Sequence, residues 1–425
     1  MKLTIAIPAL NEEDSIISII ERTLAAREYI IANSPVTELD IAVISDGSTD
    51  RTVERASNFH DKIRLIVFPK NRGYGAAIKE AWRESDAELV GFLDADGTCE
   101  PRFFANLCSA LAKENLDVVL GCRLNKDSKM PVVRLVGNTM FATLLSLLAN
   151  SNVRDTASGM RVVRRPSLRH IFPLPDGLHF TPAMSARAMM SGVLRIGEVN
   201  MPYNERVGES KLHVIKDGIR FLRVIMEAAF LYRPSRPLAL FGMFCATLAA
   251  AIMASPILYY VQNKSVQEWM IYRFLVGNLL GTAAVLSWCT AYLAKQMTRV
   301  AIEQEVGDQR SLVDSLFNGA SSWILPICLV GFGSMLVAGS FFEWWITGHT
   351  LEHWSRFIVM TFCFTTTITI LLTKGVDQVL SLLRDRVHYW REIDMQDPSP
   401  GTLAQLANKV KSWPTVETSP EVKHR

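Results

Sequence analysis

The chain has 425 residues, 49% of them hydrophobic, and a net charge of +3, so it has room for two or three domains and carries too little positive charge to suggest a nucleic-acid partner. A mean hydropathy of +0.16 is high for an ordinary soluble protein. The excess is concentrated in the second half, and that unevenness divides the chain.

From the amino terminus, Leu3 to Pro8, Asp40 to Ser45, Ile63 to Phe68, Glu88 to Leu93 and Asp117 to Gly121 read as strands. Helical patterns lie between them at Glu12 to Arg27, Thr49 to Asn58, Ala76 to Ser85 and Pro101 to Lys113. Alternation at this spacing predicts an α/β domain with a mostly parallel sheet covered on both faces, whose functional loops gather at the carboxyl ends of the strands. Met1-Lys2 runs straight into the first strand without the pattern of a cleavable signal. Beyond Gly121 the alternation stops. Pro131 to Asn150 reads as a helix, Val193 to Val199 as a strand, and His213 to Leu231 as an amphipathic helix suited equally to a membrane interface and to packing on the sheet.

Four uncharged stretches follow, Leu238 to Val261, Phe274 to Ala294, Trp323 to Phe342 and Phe357 to Thr373, and we read them as four transmembrane helices. Arg233, Arg236, Lys295, Arg299, Arg310, Lys374, Arg384, Arg386 and Arg391 flank one side, against Lys264, Arg273 and Arg356 on the other. That asymmetry places the amino-terminal region in the cytoplasm. The expected domains are therefore 1–212 (catalytic), 213–237 (interface helix and linker), 238–373 (membrane) and 374–425, a cytoplasmic tail expected to be disordered toward its end. Gly331-Phe332-Gly333 is too short a pattern to establish a homo-oligomer.

The chemistry lies at the strand ends. In Asp94-Ala95-Asp96-Gly97 the two carboxylates share one face of an extended segment, so both can reach one hard divalent cation. Asn11, after Pro8, is placed to cap a helix starting at Glu12, and Ser48 or Thr49, after Asp46, to cap the next one. Asp46 can accept hydrogen bonds from a base or ribose, and Arg72, in a glycine-rich turn, can meet phosphate.

Together these strand ends resemble the nucleotide-sugar-binding half of inverting glycosyltransferases with a GT-A fold, the family that includes dolichyl-phosphate mannose synthase. Gly121-Cys122-Arg123, Arg134 with Asn138, Asp155 to Arg161, Phe180 to Ala183 and Arg206 to Leu212 look like the acceptor-side motifs of the polyprenyl-phosphate members, bacterial undecaprenyl-phosphate enzymes among them. The resemblance implies that Pro8, Asn11, Glu12, Asp46, Arg72 and Asp94 hold a UDP- or GDP-linked sugar, and that Asp94 and Asp96 hold Mg2+ or Mn2+. It implies further that Arg123, Arg134, Ser158, Arg161, Arg206, Ser210 and Lys211 bind the phosphate of an undecaprenyl or dolichyl acceptor, with Asp94, Asp96, Arg123 and Arg161 as the catalytic set. Thr98 stands where mannose synthases often carry a glutamine near the metal, which leaves the full metal shell open, and Ala183 stands where an acidic residue is common in them, which argues against assuming mannose. Two other readings remain open. A processive polysaccharide synthase normally carries a Gln-x-x-Arg-Trp motif, which is absent, and a catalytically inactive nucleotide-binding membrane partner would be expected to have lost Asp94, Asp96 or the arginines, which are present.

Overall fold

The computed structural model describes residues 1–124, 132–149, 153–202, 214–302, 317, 323–349 and 353–396. Its amino-terminal part runs β1 (Lys2–Ala9), α1 (Ile16–Asn33), β2 (Glu38–Asp46), α2 (Thr52–Ser57), β3 (Arg64–Phe68), α3 (Tyr74–Arg83), β4 (Leu89–Leu93), α4 (Phe104–Lys113), β5 (Val118–Cys122), α5 (Val132–Ala149), β6 (Met160–Arg164), α6 (Phe180–Met190), β7 (Ile196–Asn200) and α7 (Val214–Tyr232). The seven strands form one sheet in the order β3-β2-β1-β4-β6-β5-β7. Every pairing is parallel except those of β6, which runs antiparallel to both β4 and β5.

Strand order reverses between β1 and β4, with β2 and β3 on one side and the later strands on the other. An open α/β sheet has its crevice at such a switch point, outside the carboxyl ends of the strands. Because β6 is reversed, the residues that lead into it lie at that same edge, where Met160 pairs with Leu93. The expected mostly parallel sheet is present. β6 and α6 had no counterpart among the expected elements, because Arg161 and Arg164 interrupt the apolar run of β6.

One apolar layer packs α1 and α4 on one face of the sheet, and a second packs α3, α5, α6 and α7 on the other. Helix α7 buries Val224, Ile225, Ala228, Ala229 and Tyr232 in this second layer and Phe221 against Phe141, while Ile219, Leu222, Phe230 and Leu231 stay exposed. It packs chiefly on α6 and α5 within that layer.

Two residues separate α7 from the first of four long helices, α8 (Ser235–Asn263), α9 (Ile271–Ile302), α10 (Ile324–Thr347) and α11 (Trp354–Gln396). All four are long and apolar enough to cross a membrane, over Ser235–Asn263, Glu268–Val300, Ile324–Thr347 and Trp354–Arg386. Each begins before, or ends beyond, its uncharged stretch, since helix tolerates the flanking charges that hydropathy excludes. The sheet domain is fastened to this bundle: Arg233 Nε donates to the Met190 carbonyl (3.4 Å) and Arg236 Nη1 to the Leu147 carbonyl (3.0 Å), near the carboxyl ends of α6 and α5.

Candidate active site

A cavity of about 410 Å³ opens at the carboxyl edge of the sheet. Pro8, Ala9, Leu10 and Glu12 after β1, Asp46 at the end of β2, and Asp94, Ala95, Asp96 and Thr98 after β4 form part of its wall. Asn71, Gly73 and Tyr74 join them, with Arg123 after β5, Ala157 and Gly159 ahead of β6, Gly177 and Leu178 ahead of α6, Thr181 within it, and Arg220 and Phe221 of α7.

Asp46 is almost fully buried, and its carboxylate accepts from the backbone N–H groups of Arg72 (2.6 Å) and Gly73 (2.9 Å). Gly73 has φ +109°, and a Cβ there would collide with the Asp176 carbonyl, so the turn requires glycine. Each oxygen has a second lone pair, leaving Asp46 able to accept from a ligand as well. The Arg72 side chain is turned elsewhere: it lies over the Phe68 ring at 4.4 Å and pairs with Glu80 at 3.8 Å, outside the cavity wall.

Asn11 is not a helix cap. It sits at φ +50°, five residues ahead of α1, and its Oδ1 accepts from the Thr49 N–H (2.8 Å), tying the first loop to the second. Nor do Ser48 and Thr49 cap α2; Asp50 Oδ1 accepts from Thr52 N–H (3.0 Å). A carboxylate two residues ahead competes better for that amide than a hydroxyl.

Asp94 and Asp96 both line the cavity, from the turn that follows β4 and not from an extended segment. Tyr74 Oη donates to Asp94 Oδ1 (2.6 Å), and the Thr98 hydroxyl (2.7 Å) and N–H (3.1 Å) donate to Asp96 Oδ1. Burial, then the charge of Asp94, pushes the Tyr74 hydroxyl well above the usual tyrosine range, so it remains a donor at neutral pH. Among the described residues no cluster of three or more His, Cys, Asp or Glu side chains makes a self-sufficient metal cage. Two carboxylates fit a hard cation whose other ligands come from phosphate and water, the usual arrangement for Mg2+ beside a diphosphate.

The segment before β6 is built around Asp155, which is fully buried. Arg123 grips it bidentately, Nε at 2.7 Å and Nη2 at 2.9 Å, and Asn138 Nδ2 donates at 2.9 Å. Burial by itself would raise the Asp155 carboxyl, but the charge of Arg123 and these hydrogen bonds outweigh it and hold it below the ordinary carboxylate value. Arg123 nevertheless keeps its place in the cavity wall.

Arg161 and Ser158 are placed differently from their expected role at a bound phosphate. Both are completely buried and outside the cavity wall. The Arg161 guanidinium donates to the carbonyls of Ser158 (3.1 Å), Thr181 (3.0 Å) and Thr156 (2.7 Å) and to Ser185 Oγ (2.9 Å). Burial pulls its pKa down to about 10, leaving it charged at neutral pH. It binds the loop before β6 to α6, and Ser158 turns its hydroxyl back onto Met160 (3.3 Å). Arg134 lies on α5 with its side chain outside the described residues, and Arg206, Ser210 and Lys211 fall outside them altogether.

Tyr74, Leu178, Arg220 and Phe221 were not singled out from the sequence as site residues. Tyr74 stood beside a glycine pattern that drew attention to Arg72, and Arg220 and Phe221 looked like parts of an amphipathic stripe; only the packing of α7 brings them to the sheet edge.

Residues 4–172 match the profile described as Glycosyl transferase family 2. The chain is 31% identical over 229 residues to a dolichyl-phosphate hexose transferase of Haloferax volcanii, covering 53% of this chain and 92% of that one. It is 30% identical over 225 residues to the dolichyl-phosphate beta-glucosyltransferase ALG5C of Trichomonas vaginalis, covering 50% of this chain and 66%, just under two thirds, of the relative. A crystal structure of glucosyl-3-phosphoglycerate synthase from Mycobacterium tuberculosis, with Mn2+, uridine diphosphate and phosphoglyceric acid, aligns with a TM-score of 0.43 at 20% identity over 54% of this chain and 78% of that one. The chain belongs to glycosyl transferase family 2. Among the described residues its sheet domain is followed by four helices long and apolar enough to cross a membrane.

Proposed function

We propose that this protein moves a single hexose from a UDP- or GDP-linked sugar to the phosphate of a polyprenyl lipid, undecaprenyl or dolichyl, with inversion at the anomeric carbon. The observation that carries this reading is the composition of the cavity wall: the strand-end carboxylates Asp46, Asp94 and Asp96 share one cavity with Arg123 and with Arg220 and Phe221 of α7, the helix that leads into the first apolar span. A nucleotide sugar and a membrane-borne anion can both reach such a cavity.

Pro8, Glu12 and Asp46 hold the nucleoside, and Asp94 and Asp96 would hold Mg2+ or Mn2+, whose charge would offset that of the diphosphate. The acceptor is a phosphate monoester, whose second ionisation lies near pH ~6, so its oxygen needs no strong base to become a nucleophile. Arg123 and Arg220 offset the charge of that anion, and Arg134, Arg206, Ser210 and Lys211 are assigned to the same phosphate by motif. Arg161 and Ser158 keep the loop carrying Ala157 and Gly159 in place, and the catalytic contribution of the protein is positioning and charge complementarity. The basic flanks of the apolar helices support a cytoplasmic position for the sheet domain.

The test is purified full-length protein with radiolabelled UDP- and GDP-sugars, polyprenyl phosphate and Mg2+ or Mn2+, scoring label in an acid-labile lipid. One sugar unit per lipid, abolished by Asp96→Asn, is expected. A long polymer, or nucleotide binding without any transfer, overturns the proposal.

A further inference from the structure

We infer that Tyr74 is a positioning residue for the metal site: its hydroxyl fixes the carboxylate of Asp94 in the orientation that receives the cation. This inference rests on the metal-dependent donor site proposed above. The hydroxyl sits 2.6 Å from Asp94 Oδ1. It has little freedom to be elsewhere, because Tyr74 is the first residue of α3 and the turn before it is held on two sides. Asp46 accepts the N–H groups of Arg72 and Gly73, and the Asp176 carbonyl accepts that of Gly75 (2.6 Å). The ring packs edge-on against Phe92 and Phe180, with centroids 6.3 Å away in each case.

On its other side the Asp94 carboxylate lies against Gly159, where a Cβ would collide with it. A hydroxyl and a side-chain-free backbone thus define one rotamer for Asp94, and Thr98 does the corresponding work on Asp96. A carboxylate held this way meets the metal without first giving up rotamer freedom, which is what a hydrogen-bonded second layer contributes to metal affinity. The arrangement also joins Asp46, on the nucleoside side, to Asp94, on the diphosphate side, through the short segment Arg72-Gly73-Tyr74.

The test uses full-length protein in detergent, with Mn2+ binding followed by electron paramagnetic resonance in the presence of UDP or GDP, whichever binds the wild type. Tyr74→Phe keeps the ring and removes only the hydroxyl. We expect Mn2+ affinity to fall about 10-fold or more, the effect usual for loss of such a partner, while nucleotide binding in EDTA stays at the wild-type value. Unchanged Mn2+ affinity in Tyr74→Phe overturns the inference, as does a parallel loss of nucleotide binding in EDTA, which would make Tyr74 a general part of the pocket wall. Absence of Mn2+ binding by the wild type itself would instead overturn the metal-dependent reading on which the inference stands.

Discussion

Replacing Arg161 with methionine separates its two possible roles, because the change keeps most of the stem and removes the charge and every donor. The side chain makes four hydrogen bonds, to the Ser158, Thr181 and Thr156 carbonyls and to Ser185 Oγ. Bonds from a charged donor contribute about 1.5–3 kcal/mol each, so the gross loss is large. Part is recovered: a buried cation is removed, Ser185 Oγ still donates to the Thr156 carbonyl at 2.8 Å, and the Thr181 carbonyl lies in a helical turn. The net cost is about 3–5 kcal/mol, from carbonyls left unpaired in the interior at about 1–3 kcal/mol each. For a domain of this size that corresponds to a fall in melting temperature of roughly 6–20 °C. Differential scanning fluorimetry in detergent reads this directly, with acceptor saturation measured alongside. A variant that melts with the wild type but needs far more polyprenyl phosphate would refute the scaffold role and return Arg161 to the substrate.

Gly159→Ala drives a methyl group into the Asp94 carboxylate, and a displacement of this kind costs about 100-fold in kcat/KM; nucleotide binding in EDTA, measured by calorimetry, should survive. Asp46→Asn turns an amide N–H toward one of the two backbone N–H groups the carboxylate now accepts, and we expect the KM for the sugar nucleotide to rise about 10-fold, from the roughly 1–3 kcal/mol of a lost buried acceptor. Because Asp155 is held below its ordinary value of 3.8, its ionised form stabilises the fold fully above about pH 4, and that contribution is lost as pH falls through the lower, folded-state value. Asp155→Asn should therefore lower stability at neutral pH and flatten the acid limb of a plot of melting temperature against pH; an unchanged acid limb would show that Asp155 is not the group responsible.

The first five strands, the helices between them and the four apolar spans were legible in the sequence, since each follows from a local period or from the length of an uncharged run. The Asp-x-Asp pair was legible as a carboxylate pair at a strand end, but both side chains reach the cavity wall from the turn after β4, not from the extended backbone that the spacing assumed. The destination of a long cation was not legible. Arg123 and Arg161 looked alike as basic residues near a sheet edge, yet the structure buries Arg161 among carbonyls and leaves Arg123 and Arg220 in the cavity wall. That division depends on β6 running antiparallel between β4 and β5, a non-local pairing that no residue within β6 encodes by itself. The same holds for Tyr74, whose hydroxyl meets Asp94 across twenty positions of sequence. Short-range pattern sets which segments become strands, helices and membrane spans; which polar groups lose water, and therefore which become scaffold and which face substrate, is decided only when distant elements pack.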